Sequence, residues 1–194
     1  MLLEITFVIA SYLLGSVPTG LLLGKALGVD IRTSGSGNIG ATNVYRTLGR
    51  TVGIMTLLGD CLKGLIPVLA ASWLGLPDIW IAAAGAAAFF GHVFSVFLGF
   101  KGGKGVATAL GVFIGSSPLS VLFAFVLFAL VLWKWRYVSL ASISAAAVMP
   151  VMIAAIDRRP LIVSMTVLIA GLIIWKHREN ISRLRAGTEN RFKA

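Results

Sequence analysis

Long apolar runs constrain this chain more than any other feature. They fall at residues 2–23, 52–74, 79–99, 119–133, 138–156 and 160–175. Each reaches or nearly reaches the roughly 20 residues that a helix needs to cross about 30 Å of hydrocarbon. Of the 194 residues, 58% are hydrophobic and only 12% are charged, which is the composition of an integral membrane protein. The runs are expected to form an all-α, polytopic membrane helical bundle, one membrane domain over residues 1–194. The first run carries Glu4 and lacks a basic leader, so it is expected to stay as a helix rather than be cleaved as a signal.

The piece from Gly105 to Ser116 is shorter and is cut off by Ser116-Ser117-Pro118. At ~1.5 Å per residue it reaches about 18 Å. Charge decides how to count it, because Lys and Arg gather on cytoplasmic loops. If it crosses by itself, there are seven transmembrane helices, with the N-terminus outside and the C-terminus cytoplasmic. The inner loops then hold Lys25, Arg32, Arg46 and Arg50, then Lys101 and Lys104, then Lys134 and Arg136, and last the basic tail from Lys176. Only Arg158 and Arg159, beside Asp157, fall outside this pattern. Trp73, Trp80, Trp133, Trp135, Tyr137 and Trp175 stand near the expected span ends, as interfacial aromatics do.

The formal net charge is +10. Its distribution, mostly on one face, favours anionic lipid or phosphorylated substrates over nucleic acid. The single cysteine, Cys61, lies in an apolar run with no metal-ligand cluster around it, and is expected to be packing. Asp60 and Lys63 sit inside the second run at i, i+3. A lone charge at mid-membrane costs about 3 kcal/mol, and this spacing lets the two pair on one helix face.

Within residues 30–50 the stretch SGSGNIGATN, Ser34 to Asn43, contains a G-x-G-x-x-G pattern. A dinucleotide fold would need a preceding strand and a βαβ unit, and an apolar helix precedes it instead. The physics of the pattern survives. Glycines at 35, 37 and 40 let backbone N–H groups approach an anion, and ATNVYRTLGR after Gly40 reads as a short helix whose N-terminus faces the loop. Ser34, Ser36, Asn38, Thr42 and Asn43 add polar groups, and Thr42 and Arg46 share a face at i, i+4. The arrangement suits a phosphate better than it suits a plain flexible linker.

A second basic glycine stretch, GFKGGKGVAT, covers Gly99 to Thr108. It lacks Walker A spacing. Lys101 and Lys104 nevertheless flank Gly102, Gly103 and Gly105 at the expected start of a helix, where lysine charge and helix N–H groups both favour phosphate. A third stretch, HRENISRLRAGTENR from His177, follows the last run. His177 and Asn180 share a face if the helix continues. Arg183 and Arg185 alone would read as lipid-headgroup anchors, but His177, Asn180 and Glu189 go beyond that. His92 lies late in the third run and Ser142 near the start of the sixth; both are candidates for the same polar face, against a reading as ordinary packing. Ser139 and Ser144 read as small-residue helix packing. No His-x-x-x-x-Asp pair occurs, since Phe97 and Ser182 stand five residues after His92 and His177. No Gly-x-Ser-x-Gly elbow is present either. An enzyme of this composition is expected to work without a protein nucleophile.

Taken together, SGSGNIGATNVYR, KGGKGVAT and HRENISRLRAGTE closely resemble the three cytoplasmic segments of the bacterial acyl-phosphate:glycerol-3-phosphate acyltransferases, a membrane-integral family. The segments lie at residues 30–50, 100–108 and 176–191, and the resemblance runs along essentially the whole chain. It implies acyl transfer from acyl phosphate to the 1-hydroxyl of sn-glycerol 3-phosphate, giving lysophosphatidate and phosphate, the first acylation of phospholipid synthesis. No cofactor or metal is implied. The implied partners are acyl phosphate, glycerol 3-phosphate and membrane lipid, at the inner (plasma) membrane.

By the same resemblance Asn38, Lys104 and His177 are the expected catalytic residues. The first loop, Ser34 to Thr42, is expected to cradle the acyl phosphate, with Asn43 beside it. Lys101, Gly102, Gly103 and Gly105 are expected at the phosphates, with Lys104 between them. Arg46, Ser142 and Asn180 are expected at glycerol phosphate, His92 at the edge of the same pocket, and Glu189 and Arg183 in support. The three segments are expected to converge on one anion site. Two rivals stand beside this reading: a transporter of a phosphorylated small molecule, which would want anion sites at membrane depth, and a scaffold that binds anionic lipid.

Overall fold

The structure is a computed structural model in which residues 1–192 are described. No strand occurs among the described residues. They group into two compact units, Met1–Ser116 and the described residues from Ser117 onward.

The first unit holds α1 (Leu2–Ser16), α2 (Thr19–Ala26), α3 (Ala41–Leu48), α4 (Arg50–Trp73), α5 (Asp78–Val93), a short 3₁₀ turn (Val96–Leu98) and α6 (Val106–Ser116). The apolar run 2–23, expected as one helix, is two. Pro18 has no N–H and pushes the residue before it out of helical geometry. Val17 accordingly turns to ψ 117°, and α1 and α2 meet at a 41° bend.

Close helix contact in this unit depends on glycine. A Cβ at Gly64 of α4 would overlap the Thr108 carbonyl of α6, and one at Gly111 of α6 would overlap the Cys61 carbonyl of α4. The α1–α5 contact is built the same way, with Gly15 against the Ala88 backbone and Gly91 against the Tyr12 carbonyl. Two side chains then tie the end of α5 to α1. The Tyr12 hydroxyl donates to the Phe94 carbonyl at 2.7 Å, and the Ser95 hydroxyl to the Ser16 carbonyl at 2.6 Å. Asp60 and Lys63 do pair, at 2.8 Å. Lys63 Nζ also donates to the Val17 carbonyl at 2.7 Å, an acceptor freed by the break at Pro18. Cys61 is half-buried.

The second unit holds α7 (Pro118–Trp135), α8 (Val138–Ile156), α9 (Pro160–Lys176) and α10 (Arg178–Arg185). α7 packs on α8, α8 on α9, and α10 on both α8 and α9. Asp157 follows α8 and accepts hydrogen bonds from the hydroxyls of Ser117 and Ser120 at the start of α7, which fastens the end of α8 to the beginning of α7. Arg158 follows with φ +55° in the turn to α9. At the opposite end of α7, Arg136 closes the helix in the left-handed region with φ +61°, and its carbonyl accepts the Phe192 N–H at 2.6 Å.

α4, the segment Asp78–Leu98, α7 and α8 are each long and apolar enough to cross a membrane. α1 with α2, and α9 with α10, qualify as two more if each bent pair is one span. The chain is thus a multi-pass membrane protein with four to six such spans by length and composition. α6, at 11 residues, extends about 16 Å and is not among these spans. Trp73, Trp133 and Trp175 at helix ends are exposed.

Candidate active site

The first glycine loop hangs from the end of α2 and leads into α3. Its floor is apolar: Leu21, Ile31, Ile39 and Val44 are buried together. Asn43 holds the loop to that floor. Its Oδ1 accepts the Ser36 N–H at 2.8 Å, and its Nδ2 donates to the carbonyls of Asn38 at 2.9 Å, Ser34 at 3.0 Å and Ile31 at 3.1 Å. Asn43 is 3% exposed. The sequence placed it among groups that meet substrate; the structure engages its amide with the loop's own backbone.

Gly35 and Gly37 turn the loop at φ +60° and +70°, which side chains disfavour. A Cβ at Gly35 would also strike Asn43 Oδ1. Asn38 Oδ1 accepts the Gly40 N–H at 2.9 Å, and Gly40 is the N-cap of α3. The N–H groups of Ala41 and Thr42 open that helix and have no carbonyl inside it to bond; they point back along the loop, where the dipole favours an anion. Ser34, Asn38 and Thr42 are half-buried, while Ser36 and Arg46 are exposed. At the loop's entrance Arg32 grips Asp30, with Nη2 to Oδ2 at 2.6 Å, and the guanidinium holds that carboxyl down to about 2.

The second glycine loop leaves the end of α5 and leads into α6. Two of its N–H groups bond the last carbonyls of α5: Gly102 to Val93 and Gly103 to His92, each at 3.1 Å. Those two N–H groups, expected at a phosphate, therefore cap α5 instead. What the loop offers an anion is the half-buried Lys104, the exposed Lys101 and the N-terminus of α6 after Gly105. His92 is 3% exposed, its Nδ1 stands 3.7 Å from Asp60 Oδ1, and its ring lies where a Cβ on Gly103 would be. It is a packed side chain beneath the loop.

In the second unit the chain bends by 53° between α9 and α10. His177 sits at the bend, 4% exposed. Its Nδ1 lies 2.7 Å from the Ile173 carbonyl. A carbonyl only accepts, so Nδ1 carries the proton, and in the neutral ring Nε2 is the acceptor. Asn180, one turn further on, is buried and donates through Nδ2 to Glu189 Oε1 at 2.6 Å.

Glu189 gathers two further donors, the Ser139 hydroxyl at 2.7 Å and Arg183 Nε at 2.7 Å. Burial pushes this carboxyl up, but the bonds from Ser139, Asn180 and Arg183 outweigh it and hold it below its ordinary value. Glu189 thereby fixes α10 and Asn180 to Ser139 in the first turn of α8; Ser142, in the next turn, is also buried. Ser139 is the residue that sequence reasoning passed over. Its only signal was a helix-start serine on the same side as Ser142, and nothing in the spacing links it to a carboxylate 50 residues away. No group of three or more His, Cys, Asp or Glu stands close enough to hold a metal among the described residues.

Comparison with known proteins identifies the family. The family model described as glycerol-3-phosphate acyltransferase matches residues 5–187. A glycerol-3-phosphate acyltransferase of Geotalea daltonii is 71% identical over 190 residues, covering 98% of each chain. One from Geobacter sulfurreducens is 68% identical over the full length of both. Among solved structures, the crystal structure of PlsY (YgiH), an integral membrane glycerol 3-phosphate acyltransferase, in its glycerol 3-phosphate form, superposes with a TM-score of 0.93. It is 46% identical, and the match covers 98% of this chain and 96% of that one. A lysophosphatidic acid form of PlsY gives a TM-score of 0.90 at 45% identity. With this extent and identity, the chain belongs to the glycerol-3-phosphate acyltransferase family: it is a membrane-integral acyltransferase of phospholipid synthesis.

Proposed function

We propose that the donor is an acyl phosphate and that transfer goes directly to the 1-hydroxyl of sn-glycerol 3-phosphate. The hydroxyl oxygen attacks the acyl carbonyl carbon, the bond from that carbon to the phosphate oxygen breaks, and lysophosphatidate and inorganic phosphate leave. The observation that carries this reading is the first glycine loop. Asn43 locks it from below, and the N-cap of α3, Gly40, offers no side-chain cap to the helix. An acyl phosphate is already activated, so an anion cradle that positions it serves the reaction without a covalent acyl-enzyme.

In this reading Ser34 to Thr42, with Asn38, hold the acyl phosphate. Lys104, with Lys101 beside it, stabilises charge as it moves onto the departing phosphate. Arg46, Ser142, His177 and Asn180 serve glycerol 3-phosphate, with Glu189 and Arg183 orienting Asn180. The glycerol 3-phosphate and lysophosphatidic acid forms of the PlsY neighbour support substrate and product of these classes. The hydroxyl proton goes to a phosphate oxygen of the substrate, with His177 Nε2 as the protein alternative. The protein crosses the inner membrane seven times, α6 counted, with the N-terminus outside and the acidic substrates met on the cytoplasmic side. The transporter reading has no support in the family.

Phosphate release by purified protein given acyl phosphate and glycerol 3-phosphate tests this directly. Lys104→Ala is expected to lower turnover by about 10²-fold or more, the scale of a lost electrostatic stabiliser. Turnover by Lys104→Ala near the unmodified rate sinks the assignment. His177→Ala with near-normal turnover excludes it as the base, since a lost general base costs about 10²-fold or more.

A further inference from the structure

Three ionisable side chains of the first unit are almost wholly buried: Asp60 at 2% exposure, Lys63 at 4% and His92 at 3%. Asp60 and Lys63 lie within α4, a helix apolar enough to span the membrane, where each charge costs about 3 kcal/mol on insertion scales. Ionisable groups at such depth generally serve function. Lys63 Nζ pairs with Asp60 Oδ1 at 2.8 Å, and His92 Nδ1 stands 3.7 Å from the same oxygen, close enough to feel its charge but beyond a hydrogen bond.

The cluster reaches out in two directions. Lys63 donates to the Val17 carbonyl at the break between α1 and α2. His92 carries the second glycine loop: its carbonyl accepts the Gly103 N–H at 3.1 Å, and its ring fills the space a side chain at 103 would need. The next residue is Lys104. A well-packed apolar pair is often as stable as a buried ion pair or more so, so stability alone gives no reason for these charges.

We propose that Asp60, paired with Lys63, positions His92, and that His92 in turn sets the Lys101–Gly105 loop so that Lys104 meets the transferring phosphate. All three are positioning residues, acting through the loop and not on substrate. The inference rests on the reading of Lys104 above.

The test is phosphate release by the purified full chain, with each substrate varied separately and the thermal unfolding midpoint measured alongside. Asp60→Asn and His92→Gln are each expected to lower kcat about tenfold or more while KM for glycerol 3-phosphate stays within about twofold. Asp60→Glu is expected to recover part of the lost kcat. A folded Asp60→Asn or His92→Gln with kcat within about twofold of the unmodified chain overturns the proposal, as does a loss confined to KM. If Asp60→Asn fails to fold, the apolar double variant Asp60→Leu with Lys63→Met decides. A retained midpoint with low kcat supports positioning, and a retained midpoint with unmodified kcat overturns it. Failure of the parent reading looks different: Lys104→Ala then keeps full turnover, whatever the Asp60 variants do.

Discussion

Asn43 and Glu189 do similar work in the two units. Each is one side chain that gathers several partners and holds a polar segment in place. Glu189 accepts from Ser139, Asn180 and Arg183, and its side chain is 5% exposed. Hydrogen bonds to a charged group are worth about 1.5–3 kcal/mol each, and a Gln at 189 would turn an amide toward donors. Glu189→Gln is therefore expected to lower the unfolding midpoint at pH 7. Because the folded carboxyl is held below its ordinary value, its contribution is fully present above the unfolded carboxylate pKa of about 4.3 and is lost as pH falls through the lower, folded value. Unfolding midpoints of both proteins between pH 7 and pH 3 should converge at the acid end. A gap that is constant across that range rules out the carboxylate as the source.

At the level of elements, the helices were readable from their apolar runs because lipid leaves a helix little choice. The α3 helix after Gly40 was readable from the loop before it. The break at Val17 was not anticipated, although Pro18 is its local cause, since proline is tolerated in many membrane helices. At the break the Val17 carbonyl accepts both Lys63 Nζ from another helix and the Thr19 N–H. Glycine in α4 and α6 likewise looked unremarkable in sequence and sets how closely the two helices approach. Gly64→Ala places a methyl on the Thr108 carbonyl and is expected to cost about 1–3 kcal/mol as overpacking against backbone. Gly171→Ala in α9 meets open space and is expected to be neutral or stabilising by up to about 1 kcal/mol. Thermal unfolding of the two variants side by side checks the contrast; equal midpoints would mean that α4 and α6 are not held together by this contact.

At the scale of the whole molecule, the proposed seven crossings put the two ends on opposite sides of the membrane, whereas six would put them on the same side. In a Cys61→Ala background, Leu2→Cys is expected to react with a membrane-impermeant thiol reagent on intact cells. Thr188→Cys is expected to react only after the membrane is opened. Labelling of both on intact cells, or of neither, defeats the odd count. Chain composition and motif order were enough to determine a helical membrane protein, its three polar segments and, through resemblance, its chemistry, because hydrophobic runs and glycine-rich anion loops are local properties of sequence. Only the tertiary structure decided which polar groups hold the fold. Asn43 turned inward, the Gly102 and Gly103 N–H groups capped α5, His92 settled beside Asp60, and Ser139 bonded a carboxylate far along the chain. The physical reason is that a donor or acceptor is claimed by whichever buried partner packing brings within about 3 Å, and sequence spacing carries no record of that distance.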